Sequence, residues 1–413
     1  MQTTIIGQGI TNNEQRKWIM PFVAALFAML CLQMSNLGFS PLLPAIQKEF
    51  KLTFSQLGFF TGMYGIIAII LSIPAGLAVK KFGEKKVLIG ATLVVILGLQ
   101  LLAQTTDYNF ALVGRAVWIS GYRFAFICIL TAIALHAPSS LKGRSMGIVG
   151  AVSSLASVIG APLAGGLAKN FGWRYGFMGY IVTDLIGLLI IIFFYRRASQ
   201  GEVGSMHDLG EKSMDASKTP NAFKMPIVWA LAFLVAMMGM AALTVTYYVP
   251  SAAKANFGMD SVGTGWIIST GYLCAIFVNL LYGFLMDKYN KWYVMGSLAL
   301  IVIPSVCFLA SADVTIFKLA AIMTLAFGFT STNQVYSIAG EVLKGREMGN
   351  VMGVMSLVAG IFGYLGPQML GILKDSTKGF NAGWYMIASI VTIALIEIIW
   401  LSKFRNSDVG FRK

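Results

Sequence analysis

Long apolar runs alternate with short polar segments along almost the whole chain. Crossing a hydrocarbon core of about 30 Å takes roughly 20 apolar residues at 1.5 Å rise each. Runs of that length fall near 18–40, 55–78, 86–105, 109–134, 145–168, 175–195, 225–248, 262–286, 292–311, 315–338, 348–372 and 383–402, which predicts twelve membrane-spanning helices. Two runs carry interruptions: Asp184 in the sixth and the polar Thr330–Gln334 stretch in the tenth. Gly and Pro inside several runs do not count against them, because neighbouring helices in a bilayer re-satisfy the backbone groups such residues free. The first 17 residues are polar, and the run that follows is too long for a signal-peptide core and lacks a small-residue cleavage site. It reads as a retained first span.

Composition removes the water-soluble alternative. Only 12% of the residues are charged and 57% are hydrophobic, with mean hydropathy +0.75, where soluble domains carry about 25% charged residues. The net charge of +14 would suit nucleic acid, but its placement does not: 21 of the 31 Lys and Arg fall in segments on the amino-terminal side and 8 on the other. That is the positive-inside asymmetry, which puts both termini in the cytoplasm of a cell (inner) membrane and leaves nucleic acid out of the expected partners. Cys31, Cys128, Cys274 and Cys307 lie inside spans with no metal-like spacing and read as packing residues. Nothing resembles a nucleotide-binding loop, a metal cluster or a hydrolytic triad, so enzymatic activity, ATP-driven work, metals and cofactors are not expected.

The chain divides in two. A polar stretch within 198–224, rich in Ser, Gly, Lys, Asp and Glu, separates six spans in 1–197 from six in 225–413 and reads as a cytoplasmic linker. The halves repeat: Leu141-Lys-Gly-Arg-Ser-Met-Gly147 recurs as Leu343-Lys-Gly-Arg-Glu-Met-Gly349, at an offset of 202. The loop from Gly76 recurs from Gly283, Pro162 recurs as Pro367, and Gly172-Trp173 recurs as Gly383-Trp384, at offsets of 207, 205 and 211. Six spans per half keep the repeats parallel, related by an axis along the membrane normal. The expected fold is an all-α membrane protein of twelve transmembrane helices in two parallel-repeat halves around a central cavity.

These motifs resemble the major facilitator superfamily over essentially the whole chain. Gly76 and Gly83 match its Gly-x-x-x-Asp-x-x-Gly-Arg-Lys box, and Ala161, Pro162, Gly165 and Gly166 resemble a Gly-Pro-x-x-Gly-Gly motif often seen in its antiporters. Gly172-Trp173-Arg174 followed by Phe177 fits the habitual start of the sixth span. Arg115 fits the basic residue of the fourth-span motif, although Ile119 stands where Gly is usual. The box departs at its charges: Lys80 replaces its Asp and Glu84 its first Arg, while the second copy keeps Asp287. Either a pair with reversed signs survives, or the latch has moved to Asp287, or the segment is a plain basic loop. The resemblance implies alternating access by rocking of the halves, driven by a solute or ion gradient, in a monomer. It makes Gly76, Lys80, Gly83, Glu84, Pro162, Gly165, Gly166, Gly283, Asp287, Gly366 and Pro367 candidates for gating or bending.

Charges within spans are the candidate chemistry, since each costs on the order of 2.5–3.5 kcal/mol to insert. Arg115 lies in the outer part of the fourth span, with Trp118 and Tyr122 expected on its face, as a gating residue or a planar fork for a carboxylate. Arg123 is deeper and needs either an anionic solute or a fixed counter-charge, for which Asp184 is the obvious candidate. Asp184 is also a candidate proton site, and Glu397, close to the inner end of the last span, reads as structural. Neutral polar groups dominate elsewhere: Gln33, Ser35 and Asn36 in the first span, Thr246, Tyr247 and Tyr248 closing the seventh, Asn279 in the eighth, and Thr330, Thr332, Asn333, Gln334 and Tyr336 in the tenth. Candidate solute contacts are therefore Arg115, Tyr122, Arg123, Asn36, Asn279, Asn333 and Gln334. The expected partners are lipid, a small organic anion or polar metabolite, and protons if Asp184 titrates. An efflux antiporter for amphipathic compounds is the alternative reading, and a membrane sensor that transports nothing is the third.

Overall fold

In the computed structural model, residues 12–136, 142–195, 225–342 and 348–404 are described. The linker at 198–224 and most of the Leu141–Gly147 and Leu343–Gly349 repeat lie outside those residues or have undescribed side chains, as does the side chain of Lys80.

Twelve helices long and apolar enough to span a membrane are present, and among the described residues no strand occurs. In order they are Asn12–Gly38, Phe54–Phe82, Glu84–Gln104, Tyr108–His136, Lys142–Phe171, Trp173–Phe194, Pro226–Phe257, Ser261–Lys288, Lys291–Phe308, Val314–Val342, Met348–Thr377 and Asn381–Phe404. They are called the first to twelfth spans. Asp184 and the Thr330–Gln334 stretch sit inside unbroken helices. The first span continues through a 3-10 turn, Ser40–Leu42, into a short helix, Leu43–Glu49. The seventh runs nine residues past Tyr248, because Pro250 lies inside the helix rather than ending it.

Local chemistry sets the helix ends. Thr53 and Gln56 form a reciprocal capping box that starts the second span, satisfying two amides that a helix start leaves free. Asp260 and Asn290 cap the eighth and ninth through the amides of Gly263 and Trp292. Gly83 and Gly172 adopt φ of 81° and 98°, so the chain reverses between the second and third and between the fifth and sixth spans where a side chain would be strained.

Packing repeats as the sequence does. In the first half the first span packs on the fourth, fifth and sixth, the second on the fourth, the third on the fourth and sixth, and the fifth on the sixth. Each of these pairings recurs between the spans six positions later. Two large interfaces join the sets, second with eleventh and fifth with eighth, and the Ser40–Leu42 turn and Leu43–Glu49 helix add smaller contacts with the seventh and eighth. Large apolar side chains such as Leu97, Phe193, Phe277 and Leu280 remain exposed on the outside of the bundle, as a lipid-facing surface requires.

Candidate functional site

The two joining interfaces are tight at the face opposite the chain termini, here the distal face. A Cβ on Gly58 would lie 2.5 Å from the Pro367 carbonyl oxygen, and one on Gly265 would lie 2.8 Å from that of Ala161. Glycine alone allows helices this close. Gly62 and Gly65 continue the second-span stripe against Tyr364 and Gly360, and Gly165 and Gly371 press on the Ser261 and Phe54 carbonyls. Polar contacts close the same face. Asp375 accepts from the amides of Phe54 and Ser55 at 2.9 and 2.8 Å, capping the second span from the other half. Ser261 and Ser269 donate to the carbonyls of Gly165 and Val158 at 2.9 and 2.8 Å. A Cβ would meet nothing within 4 Å on Gly76, Gly283 or Gly353 toward the face that carries the termini, nor on Gly166, Gly172 or Gly258 outside the joining contacts of the distal face.

Lys169 and Asp260 form an ion pair of 2.9 Å across the distal face. The Gly263 amide and then Lys169 hold the Asp260 carboxyl below the usual carboxylate range. A carboxyl so lowered lends stability above its free value and loses it as pH falls through the lowered one. Both side chains are about half exposed, 55% and 48%, so the pair is worth at most about 1 kcal/mol, roughly fivefold in an equilibrium. Label-to-label distances between the distal ends of the fifth and eighth spans should lengthen modestly below about pH 4. Asp260→Asn should lengthen them at neutral pH and remove the response; an unchanged distance distribution would exclude the contact as a latch.

Between the halves lie the two arginines of the fourth span. Arg115 is fully buried, its guanidinium carbon 4.3 Å from the ring centres of Phe39 and Trp118 and 5.4 Å from Phe60. Its Nε donates to the Phe60 carbonyl at 3.4 Å. Tyr247 faces it from the seventh span, yet both terminal nitrogens lack a hydrogen-bond partner. Aromatic faces supply about 2 kcal/mol or more to a desolvated cation, but no counter-charge. Arg123 lies 15 residues into its span, about 22 Å along the axis. Its terminal nitrogens donate to the hydroxyls of Tyr64 and Ser72 at 3.2 and 2.9 Å, and its Nε has no partner. Tyr336 of the tenth span is within electrostatic reach of Tyr64 and Arg123.

Of the two compensations the sequence leaves open for Arg123, the fixed counter-charge is not supplied by Asp184, which does not pair with it. It is fully buried on the side of the sixth span that faces Ser35 and Cys31 of the first, and neither carboxylate oxygen has a hydrogen-bond partner. Both residues lie in the interior of their spans, but they face different neighbours. Tyr122, two turns from Arg115, also meets the first span. Trp118 shares the Arg115 face, while the Tyr122 hydroxyl donates to Gln33 at 2.5 Å and its ring stacks on Phe126.

The structure brings Asn36 together with Gln33 and Tyr122. Asn333 donates to Asn279 at 3.2 Å, a bond within the second half, with Asn333 3.7 Å from a Cβ built on Gly150. Gln334 is buried. Of the gating candidates, Gly165, Gly366 and Pro367 lie in tight contacts, Pro162 faces Gly265, and Gly166 faces open space. Glu84 is buried at the start of the third span and Asp287 is exposed at the end of the eighth. Tyr64, Ser72, Ser153 and the Gly58–Gly265 pair escaped the sequence reading. The glycines recur at an offset of 207, the interval of the Gly76 and Gly283 copies, so a residue-by-residue repeat comparison would have found them.

Two repeating six-helix sets of membrane-spanning length, in close contact at the distal face and with two buried arginines between them, are the architecture of a membrane transporter. A family model for the Major Facilitator Superfamily matches residues 25–367 and again 248–409, and the chain belongs to that superfamily. It is 22% identical over 419 residues to a protein named for tartrate transport in Agrobacterium vitis, covering 95% of this chain and 92% of that one. It is 22% identical over 377 residues to one named for nitrate transport in Staphylococcus carnosus, covering 90% and 93%. Multidrug resistance protein 2 of Bacillus subtilis is 25% identical over 381 residues, covering 90% and 92%. Among solved structures, a D-xylose–proton symporter superposes with TM-score 0.77 at 14% identity, covering 92% of this chain and 96% of that one. The relatives and the fold are those of transporters, not enzymes.

Proposed function

We propose that the protein is a secondary transporter of a small organic anion, with Arg123 as the anchor for its negative group and Arg115 as a second cation nearer the distal face. The observation that carries this reading is the absence, among the described residues, of any carboxylate against either buried guanidinium. A charge so placed costs several kcal/mol unless something compensates it, and an anionic solute arriving between the halves does so. Relatives named for tartrate and nitrate transport support an anion. The positive-inside bias assigns the terminal face to the cytoplasm, so closure at the distal face makes this the state that opens inward. The glycine contacts at Gly58, Gly65, Gly265 and Pro367 close the outer side, and rocking about them gives alternating access. Asp184 is the proton site in this reading, coupled to the solute through the first span, whose Ser35 faces it while Asn36 and Gln33 face the arginines' side.

Uptake into proteoliposomes decides the point. A panel of labelled carboxylates, nitrate, sugars and cationic amphiphiles should yield uptake of anions only. Arg123→Ala should lower it at least about 30-fold, the loss expected when one partner of a buried charge-assisted contact goes. Arg123→Lys should recover only part, because an ammonium lacks the planar fork. Wild-type anion uptake by Arg123→Ala would overturn the anchor. Uptake of amphiphilic cations, with no anion moved, would favour the efflux reading suggested by the multidrug relative.

A further inference from the structure

The buried polar network beside the arginines has a fixed direction, and it ends on an acceptor with no donor. The Val149 carbonyl can only accept, and Ser153 Oγ lies 2.9 Å from it, so the Ser153 proton points there. Ser153 must then accept from Gln33 Nε2, 3.1 Å away. That orients the Gln33 amide with Oε1 toward Tyr122 and Asn36, where it accepts from the Tyr122 hydroxyl at 2.5 Å and from Asn36 Nδ2 at 3.3 Å. Reversing either amide would set acceptor against acceptor or donor against donor. Asn36 Oδ1 is left over: the residue is 3% exposed and this oxygen has no partner. An unsatisfied buried carbonyl costs about 1–3 kcal/mol, a cost that a ligand's donor would remove.

The place of this atom matters. Asn36 is one turn before Phe39, whose ring covers Arg115 at 4.3 Å. Tyr122, its network partner, has its ring 6.1 Å from that of Tyr64, which holds Arg123. The lone acceptor is thus linked, through Phe39 on one side and Tyr122 and Tyr64 on the other, to the residues that hold the two donor-only cations.

We infer that Asn36 reads a hydroxyl on the solute, and that the transported anions are hydroxycarboxylates. This rests on the anion reading above and narrows it. The carboxylate answers the guanidinium donors, and a hydroxyl near it donates to Asn36 Oδ1. A fully ionised oxyanion without a proton, or a plain dicarboxylate, satisfies the arginines and leaves Asn36 unmet. An ammonium would supply the donor but is repelled by two guanidiniums.

The decisive comparison is malate against succinate, which differ by one hydroxyl, with aspartate and nitrate alongside, measured as binding to the purified protein and as proteoliposome uptake. Malate should bind about 5- to 150-fold tighter than succinate, the range that 1–3 kcal/mol spans. Asn36→Leu, similar in size but without the acceptor, should bring the malate-to-succinate ratio toward one whatever it does to overall affinity. If that variant does not fold, the wild-type ratio alone decides. Equal binding of malate and succinate, or aspartate binding above malate, overturns the hydroxyl assignment and leaves the anion reading standing. Binding of none of these anions removes the anion reading itself.

Discussion

Gly65→Val is expected to stop transport while leaving both halves folded in the membrane. A Cβ at Gly65 would run into the backbone of the eleventh span at Gly360 and Tyr364, and backbone cannot swing aside as a side chain does. Overpacking a tight contact costs about 1–3 kcal/mol even where neighbours can adjust, and more where they cannot. The penalty falls only on the state in which the distal ends touch. A cost of about 4 kcal/mol shifts the equilibrium between the two states roughly a thousandfold, so the distal face would stand open. A cysteine placed beside Arg115, with Cys31, Cys128, Cys274 and Cys307 replaced, should become reactive from the distal side. Gly98 is the control. Its Cβ would strike the Trp118 backbone, a contact inside the first half that persists in every state, so Gly98→Val should lower stability without favouring either state. Wild-type uptake by Gly65→Val would mean that the halves do not close along this stripe.

Asp184→Asn is expected to abolish uphill accumulation while preserving exchange. No cation stands against Asp184 among the described residues, and the amide keeps the shape of the side chain while losing the titrating proton. A gradient of one pH unit drives at most about tenfold accumulation for each proton carried. The wild type should approach that ratio with a proton-coupled solute, and the variant should stop at equality. Counterflow, which needs no net proton movement, should continue. Uphill accumulation by the variant would return Asp184 to a packing role.

Much of the architecture was legible in the sequence because hydropathy is a one-dimensional property. Span number, half-repeats and the membrane depth of Arg115, Arg123 and Asp184 all follow from counting residues. Direction around each helix does not, when helices are apolar on every side. Arg123 and Asp184 therefore looked like partners at similar depth, yet they face different neighbours. That the partner of Tyr122 is Gln33 of the first span is likewise set by the packing of helices and not by spacing within one. Asn36 is polar in any reading of the sequence, but that its Nδ2 rather than its Oδ1 is engaged depends on Ser153, more than a hundred residues away. The cross-half cap from Asp375 onto Phe54 and Ser55 had no local signature at all, since a helix capped from another helix leaves no mark at its own N-terminus.

The uncompensated guanidiniums also make the carrier an electrical device. Without solute the site holds two positive charges; a dianion such as malate cancels both. Moving one charge through the full field of a 100 mV membrane is worth about 2.3 kcal/mol, and the site sweeps through part of that field as the halves rock. Voltage should therefore act on the return of the empty carrier rather than on the loaded step. With a negative interior, it draws the empty site toward the cytoplasm, the side to which the proposed orientation assigns the open face.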